Sequence, residues 1–362
     1  MSFPIVKNPE NGRRTVRWVI AHFPLELFVR AAKAFEQELE KLVPGQFELE
    51  IHTPSSYYQK YSHLFTEEEL ELFRQTTPQI KGLENPLRTT KNKNLQTVSD
   101  FKSIKPRWAL HFDALKAGKF EMTQTQINIV ASHVYSNMCA IDLPFLFRDH
   151  DHVSRVLDGE IGDRLSKEMA ESTGVHGLGY TYSGGYRIVG STDEIRSLDE
   201  LNQKKFVTFT APSGKLFGMA GVNHIGRPSV TANDIGDMNE EGGAIETTYL
   251  RFEGKNVLKT NHSMFMTQIL TSNGFFDTLT PEQQEAFTIA AKNVAKIERV
   301  WSVEDAKKYE DEAKDRGVNI VDISDEDKLR LRKAAIGVYR QLHTMSIDPE
   351  LVKEIVELGQ AK

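Results

Sequence analysis

Ile-Asp-Leu-Pro-Phe-Leu-Phe, at residues 141–147, begins a segment, 141–210, whose motifs constrain the fold more than any other part of the sequence. Further along, Ser-Gly-Gly-Tyr-Arg at 183–187 places one cation directly after a glycine pair. Lys-Phe-Val-Thr-Phe-Thr at 205–210 alternates in polarity and is rich in β-branched residues, which predicts a strand. An arginine that follows glycines and leads into a buried strand is a candidate for binding an anion. The same arrangement is also common where the arginine has only a structural role.

The order and spacing of several short phrases in and around this stretch resemble the solute-binding proteins of TRAP transporters, the DctP-like family. Besides the two phrases above, they are Val-Leu-Asp-Gly at 156–159, Ser-Leu-Asp-Glu-Leu at 197–201, and residues 115–122, 243–246, 261–262 and 279–283. The resemblance covers most of the chain apart from 57–107. It implies an α/β, two-lobed periplasmic-binding-protein-like fold with a cleft and a hinge. The lobes expected from it are 12–184 plus 266–305, and 185–265 plus 306–362.

Composition is that of an ordinary globular protein. The 362 residues carry a formal net charge of −6, which argues against a nucleic-acid partner. No run of about 18 apolar residues is present, so we expect a chain that is not membrane-embedded. Cys139 is the only cysteine, which excludes an internal disulfide. No signal peptide is visible; the resemblance implies export to the periplasm, so we expect a mature chain from which the leader has been removed.

Hydrophobic periodicity predicts a β-α-β unit near the start of the chain. Residues 16–20 and 47–51 alternate like strands, and apolar residues from 27 to 42 recur at helical spacing, which favours a parallel pair with a crossover helix. Thr280-Pro281 starts a second helical pattern that continues to Gly317, long enough at about 50 Å to bridge two lobes. Residues 324–358 are predicted to be helical and to pack on the second lobe.

The segment 57–107 departs from the family pattern. It contains Thr66-Glu-Glu-Glu69, a capping-box signature that predicts a helix start. The polar, basic run that follows at 89–94 predicts a loop. The segment is interpreted as a surface excursion, with a partner-docking or cleft-rim element as the alternative.

Signatures of common enzymes are missing from the sequence. It contains no Walker-type glycine loop, no Gly-x-Ser-x-Gly and no His-Glu-x-x-His. The alternating run Asp149-His-Asp-His152 is interpreted as a solvated helix start in preference to a metal site. We therefore predict no catalytic residues, no cofactor and no metal.

Arg187 is the strongest candidate for ligand binding. A guanidinium group donates two parallel hydrogen bonds to a carboxylate, which makes it selective for that group. Tyr180 and Tyr182 are expected to supply an aromatic wall beside it. The alternative is a structural role for Arg187, paired with an acid such as Glu194.

The sequence departs from the family where members usually carry a second arginine, the position that matches Val207 here. Candidate replacements are Lys205 on the same strand face, and Lys215 or Arg227 further along. The hydroxyl groups of Thr208 and Thr210 could hold a less anionic ligand instead.

The remaining candidates come from both predicted lobes. Glu246 matches a glutamate that is frequent in the family and is followed by Thr247, which would reach the ligand; a hinge-stabilising role for Glu246 is the alternative. From the first lobe, His22 follows a strand at a predicted helix N-terminus, where α/β proteins bind anions. Gln124 and Gln126 lie on one side of a predicted strand.

Together these features predict an extracytoplasmic receptor that binds a small organic acid in an interlobe cleft and delivers it to the membrane subunits of a TRAP-type transporter. Replacement of Arg187 by alanine is predicted to weaken binding strongly and to leave the melting temperature nearly unchanged. One alternative is a hydrolase or lyase that uses His22 or His262 as general base with Glu246. Another is a ligand-binding sensor that has no permease partner.

Overall fold

The computed structural model describes residues 7–8, 10–20, 25–76, 107–191, 193–208, 210–226, 239–242 and 256–360. The strands are β1 Arg14–Ile20, β2 Phe47–His52, β3 Met122–Gln126, β4 Val175–Tyr186, β5 Ile188–Ser191, β6 Phe206–Thr208, β7 Ile225–Gly226, β8 Asn239–Gly242, β9 Asn256–Lys259, β10 Met264–Ser272 and β11 Asn319–Asp322. The helices are α1 Leu25–Leu42, α2 Pro54–Lys60, α3 Glu67–Thr76, α4 Arg107–Lys116, α5 Ile127–His133, α6 His150–Leu157, α7 Glu160–Thr173, α8 Leu198–Asn202, α9 Ala211–Met219, α10 Asn273–Phe276, α11 Pro281–Asp315, α12 Asp325–Tyr339 and α13 Pro349–Gln360.

The first sheet has the order β2-β1-β3-β10-β4. β1 pairs in parallel with β2 and β3, whereas β10 is antiparallel to both β3 and β4. The predicted β-α-β unit is therefore confirmed. Apolar residues on one face of α1 cover this sheet, and the ring of Phe35 packs edge-on against Trp18 and Phe287, with centroids 5.3 Å and 5.5 Å away.

The second sheet has the order β11-β9-β5-β8-β6-β7. The chain passes from the first sheet to the second between β4 and β5, and it returns between β9 and β10. β5 pairs antiparallel with β8 and β9, and β6 pairs in parallel with β7 and β8. The two sheets are thus joined by chain crossings and not by a terminal linker, which agrees with the predicted two-lobed α/β fold.

Helix α11 joins the cores of both sheets. Its start is fixed by a capping box, in which Thr280 accepts from the Gln283 backbone N–H and the Gln283 side chain accepts from that of Thr280. Its 35 residues correspond to a length of about 50 Å. Phe287 near its start belongs to the core of the first sheet, and Ala313 near its end packs with Ile188 and Val257 of the second. The predicted lobe-bridging helix is confirmed.

The beginning of segment 57–107 belongs to the core. Tyr57 and Tyr58 in α2 are 0% and 6% exposed, and they pack in the main hydrophobic cluster. Their interpretation as part of a surface excursion is therefore wrong. The predicted capping box before α3 is confirmed by hydrogen bonds in both directions between Thr66 and Glu69. Residues 77–106 lie outside the described part of the chain.

The C-terminal helices pack on different partners. α12 contacts α9, next to the second sheet, whereas α13 contacts α6. The buried His152 fixes this second contact: its Nε2 donates to the Ile355 carbonyl at 2.7 Å, and its Nδ1 accepts from the Arg148 backbone N–H. The expectation that the whole C-terminal stretch packs on the second lobe therefore fails for α13.

None of the helices in the described part of the chain combines the length and the apolar composition that a membrane crossing requires.

Candidate functional site

Three segments meet where the chain passes between the sheets: 142–146, 184–188 and 260–265. We call them the crossing region. In the middle segment, Gly184 and Gly185 have φ values of +88° and +86°, a left-handed conformation that favours glycine. The pairing of β4 with β10 shifts here, so that residues 183–185 form a bulge. Directly after the bulge, the Arg187 backbone N–H donates to the Ser263 carbonyl at 2.8 Å.

The Arg187 side chain is held inside the crossing region. It is 1% exposed, and its Nη2 and Nε lie 3.1 Å and 3.3 Å from Oδ1 of Asp142, itself 1% exposed. The guanidinium carbon lies 4.2 Å from the ring centroid of Phe265, within cation–π range. The acid beside Arg187 is therefore Asp142, whereas the predicted structural partner Glu194 binds Arg196.

The expected aromatic wall of Tyr180 and Tyr182 is replaced by Phe265. The Tyr180 hydroxyl points toward α7, where it donates to the Gly162 carbonyl, and the Tyr182 hydroxyl lies 3.1 Å from His150 Nδ1. Both rings are buried in the hydrophobic core. Burial raises the pKa of each hydroxyl above its usual range, which keeps both neutral.

Backbone strain marks the other two segments of the crossing region. Phe145 and Asn261 have φ values of +56° and +46°, which non-glycine residues rarely adopt. The Phe145 backbone N–H donates to the His262 carbonyl at 2.7 Å. One strained residue thus makes this hydrogen bond, and the other, Asn261, directly precedes its acceptor. Strained residues persist where surrounding contacts hold them, and they are frequent at binding sites and switch regions.

Gln124 and Gln126, which are predicted to contact the ligand from the first lobe, lie at the carboxyl end of β3. Gln124 is fully buried, and its Nε2 donates to the Thr181 hydroxyl at 2.9 Å. Its Oε1 has no hydrogen-bond partner among the described residues. Gln126 is half-buried at the N-terminus of α5 and pairs in register with Thr267. His22 lies outside the described residues.

Several residues that are predicted to contact the ligand from the second lobe lie around β6. Thr208 and Thr210 are 2% and 8% exposed. Lys205 precedes β6 and is exposed, whereas Val207 is fully buried. The prediction that Lys205 replaces a cation at position 207 on the same strand face is therefore not supported. The alternative Lys215 donates to the Gln341 side chain at 3.0 Å. Arg227, Glu246 and Thr247 lie outside the described residues.

Thr210 has a structural role that the sequence analysis missed. It is the N-cap of α9: its hydroxyl accepts from the Ser213 backbone N–H at 3.2 Å and donates to the Ser213 hydroxyl at 3.0 Å. These two bonds use the group that was expected to reach the ligand.

We therefore expect Thr210→Ala to lower the free energy of unfolding by about 1 kcal/mol, the usual cost of losing an N-cap. Thr210→Ser, which keeps the hydroxyl, should retain most of the stability. Urea denaturation of the two variants measures the difference. Equal midpoints for the alanine and serine variants would show that the cap contributes nothing.

His262, considered above as a general base, is enclosed by hydroxyl groups. Its Nδ1 lies 2.8 Å from the Thr260 Oγ1, and its Nε2 lies 3.5 Å from the Ser213 Oγ. The ring is 0% exposed and packs edge-on against Phe217, with centroids 5.1 Å apart. The residue thus links the crossing region to the first turn of α9.

The run Asp149-His-Asp-His152 forms a helix start, as predicted, but the expectation that it is solvated is wrong for His152, which is 1% exposed. The Asp149 side chain caps α6 by accepting from the His152 backbone N–H at 2.7 Å. Among the residues that the structure describes, no group of three or more histidine, cysteine or acidic side chains is arranged to hold a metal ion.

Comparison with protein families gives a match over more than half of the chain. Residues 109–225 and 245–344 match the model of "Bacterial extracellular solute-binding protein, family 7", DctP. Among curated relatives, the chain is 28% identical over 191 residues to the 2,3-diketo-L-gulonate-binding periplasmic protein of Escherichia coli. This alignment covers 51% of the chain and 58% of that relative, so the chain matches little more than half the length of the relative.

Solved structures are similar over nearly the whole chain. One is the sugar acid binding protein of Advenella mimigardefordensis in complex with galactonate (TM-score 0.72, 18% identity, 96% of this chain and 98% of that one). Another is a TRAP periplasmic solute-binding protein of Xanthobacter autotrophicus with bound β-D-galacturonate (TM-score 0.68, 22% identity, 96% and 100%). At these identities the likeness shows the fold.

Proposed function

Since the chain belongs to family 7 of the bacterial extracellular solute-binding proteins, we propose that it is a periplasmic receptor for a small organic acid. It binds the acid between its two lobes and delivers it to the membrane subunits of a TRAP-type transporter. We propose the lobes to be 12–184 plus 266–305, and 185–265 plus 306–362, with α13 of the second set packed back on α6 of the first. The end of β4 at Tyr186 and the start of β10 at Met264 support these boundaries.

The observation that carries the proposal is the position of Arg187. Arg187 lies where the chain passes from β4 of the first sheet to β5 of the second, and its guanidinium group packs over the Phe265 ring and bonds to Asp142. A bidentate donor at the point where the chain crosses between lobes can contact a carboxylate that touches both. Contacts that form only in the closed arrangement shift the balance between open and closed forms, which is how such a receptor signals that it is loaded.

The ligand we propose is a monocarboxylate with several hydroxyl groups, such as a sugar acid. Two features favour it over a dicarboxylate. Val207 occupies the position of the second arginine expected from the family, and Asp142 neutralises part of the charge of Arg187. The hydroxyl of Thr208 and the amides of Gln124 and Gln126 suit the hydroxyl groups of a sugar acid better than a second carboxylate. His22, Glu246 and Thr247 remain candidates in the same role.

We expect galactonate, galacturonate or glucuronate to raise the melting temperature more than succinate does. A ligand at 100 times its Kd contributes about 2.7 kcal/mol to stability, which corresponds to several degrees for a chain of this size. The measurement is a thermal-shift screen of these acids, combined with native mass spectrometry of the protein as purified. A screen in which no acid raises the melting temperature, with no bound molecule in the spectrum, would overturn the proposal.

The same complex distinguishes a receptor from an enzyme. A receptor releases the acid unchanged after denaturation, whereas a hydrolase or lyase releases a product of different mass. Recovery of chemically altered galactonate after prolonged incubation would therefore favour the enzyme. The position of His262 does not support it, because both ring nitrogens face hydroxyl groups in a fully buried environment.

A further inference from the structure

Three neighbouring side chains of α11 bond to the outer edge of β4. Arg299 donates to the Tyr180 carbonyl at 2.6 Å, Glu298 accepts from the Tyr182 backbone N–H at 2.9 Å, and Ser302 accepts from that of Gly184 at 2.7 Å. β4 lies at the edge of the first sheet. Backbone groups of alternate residues point to the same side of a strand, and at a sheet edge they need partners from elsewhere. α11 supplies these partners.

Glu298 makes this contact in a fully buried position. It is 0% exposed; its Oε2 binds the Tyr182 N–H, and its Oε1 has no hydrogen-bond partner among the described residues. A buried carboxylate with one oxygen unsatisfied is costly, whereas the protonated acid is not charged. Burial raises the pKa of the Glu298 carboxyl to about 8, against the opposite effects of the Tyr182 N–H, Arg299 and Arg30.

The charged groups around Glu298 come from two helices. Arg299 and Asp305 lie on α11 itself, and Arg30 lies on α1, where it pairs with Asp305 at 2.7 Å. Arg299 is bonded to Asp158, so its charge is largely compensated. The β4 side contributes the Tyr182 hydroxyl, which burial keeps neutral. The carboxyl thus has no strong cationic partner to hold it ionised among the described residues.

The Glu298 contact lies directly before the bulge that precedes Arg187, and the Ser302 contact lies within it. The Ser302 bond fixes Gly184, the first of the two left-handed glycines, and Arg187 follows three residues later. Without these bonds, two glycines would give the backbone wide conformational freedom at this point. We propose that Glu298 and Ser302 are positioning residues that hold the β4 bulge and so set the place of the Arg187 guanidinium group for ligand binding. This inference rests on the proposed function.

The first test replaces each positioning residue and measures the affinity for galactonate by calorimetry. We expect Ser302→Ala and Glu298→Ala each to raise the Kd about tenfold at pH 6.5. Glu298→Gln keeps an acceptor for the Tyr182 N–H, so it should restore most of the affinity that Glu298→Ala loses. Glu304→Gln, the same change at an exposed position of α11, is the matched control and should leave the Kd unchanged.

The second test uses pH, because the Glu298 carboxyl can lose a proton whereas the amide of Glu298→Gln cannot. The protonated Glu298 stabilises the fold relative to the unfolded chain; this contribution is fully present below about pH 4.5 and is lost as the pH rises through about 8. The melting temperature of the wild type should therefore fall relative to Glu298→Gln between pH 5 and 8. Ionisation leaves a buried charge with the unsatisfied Oε1, which favours opening of the contact between α11 and β4. The wild-type affinity for galactonate should therefore fall about tenfold from pH 7 to 9, whereas that of Glu298→Gln should stay constant.

The third test needs no ligand. Amide hydrogen exchange in residues 182–187 should be at least tenfold faster in Ser302→Ala than in the wild type, and unchanged in Glu304→Gln. Unchanged exchange, or a pH dependence identical in the wild type and Glu298→Gln, would overturn the inference. If the wild type binds no organic acid but exchange responds as described, the proposed function fails while the fixing of the bulge stands.

Discussion

Replacement of Arg187 by alanine is expected to lower the free energy of unfolding by about 3–5 kcal/mol, because it removes the cation beside a buried carboxylate. Asp142 is 1% exposed and lies 3.1 Å from the guanidinium group. The structure thus reverses the sequence-based expectation of a nearly unchanged melting temperature. Urea denaturation of the variant measures the loss. A decrease below 1 kcal/mol would mean that Asp142 is well solvated or compensated elsewhere.

A loss of stability alone would leave the binding role of Arg187 undecided, so the experiment needs a second variant. In Arg187→Met with Asp142→Leu, both charges are replaced by apolar groups of similar volume. Such exchanges of buried ion pairs are often neutral or stabilising. We expect this double variant to fold with near wild-type stability and to bind galactonate at least 100-fold more weakly, because the bidentate donor is gone. Wild-type affinity in the double variant would exclude Arg187 as a ligand contact.

Local signals in the sequence were sufficient for much of the fold. The β-α-β unit follows from alternation and helical spacing, and α11 follows from Thr280-Pro281 at its start and Gly317 after its end. These features depend on residues a few positions apart, so they can be read without tertiary contacts. The short strands β9 and β11 were not predicted. With four residues each, they owe their structure to pairing with other strands, β9 with β11 and β5, and not to a local pattern.

The candidate site was predictable only in part, because residue type does not reveal which partner a side chain finds. Arg187 stands out by the glycine pair before it, but no local pattern links it to Asp142, 45 positions earlier in the chain. The sequence shows that Thr210 carries a hydroxyl, but not that α9 uses this hydroxyl as its N-cap. Nothing in the sequence indicates that Glu298 is buried, since a glutamate within a charged helix is normally exposed.

The second large effect concerns a buried ion pair that is not part of the crossing region. Arg17 in β1 donates through Nη2 and Nε to the two oxygens of Glu121 at 2.7 Å and 2.8 Å, and both residues are 1% exposed. The Arg17 backbone N–H also donates to Glu121, and its Nη1 donates to the Tyr57 hydroxyl. The pair thus connects the first sheet to α2.

We expect Glu121→Ala to lower the free energy of unfolding by about 3–5 kcal/mol, because it leaves the Arg17 guanidinium group buried without its carboxylate. Arg17→Met with Glu121→Leu should recover most of that loss. In contrast to the Arg187 variants, the folded protein should bind galactonate within about twofold of wild type, since neither residue lies in the crossing region. Denaturation and calorimetry on the same samples measure both quantities. If Glu121→Ala abolished binding as well, a loss of affinity in the Arg187 variants would reflect general loss of packing and not the missing guanidinium group.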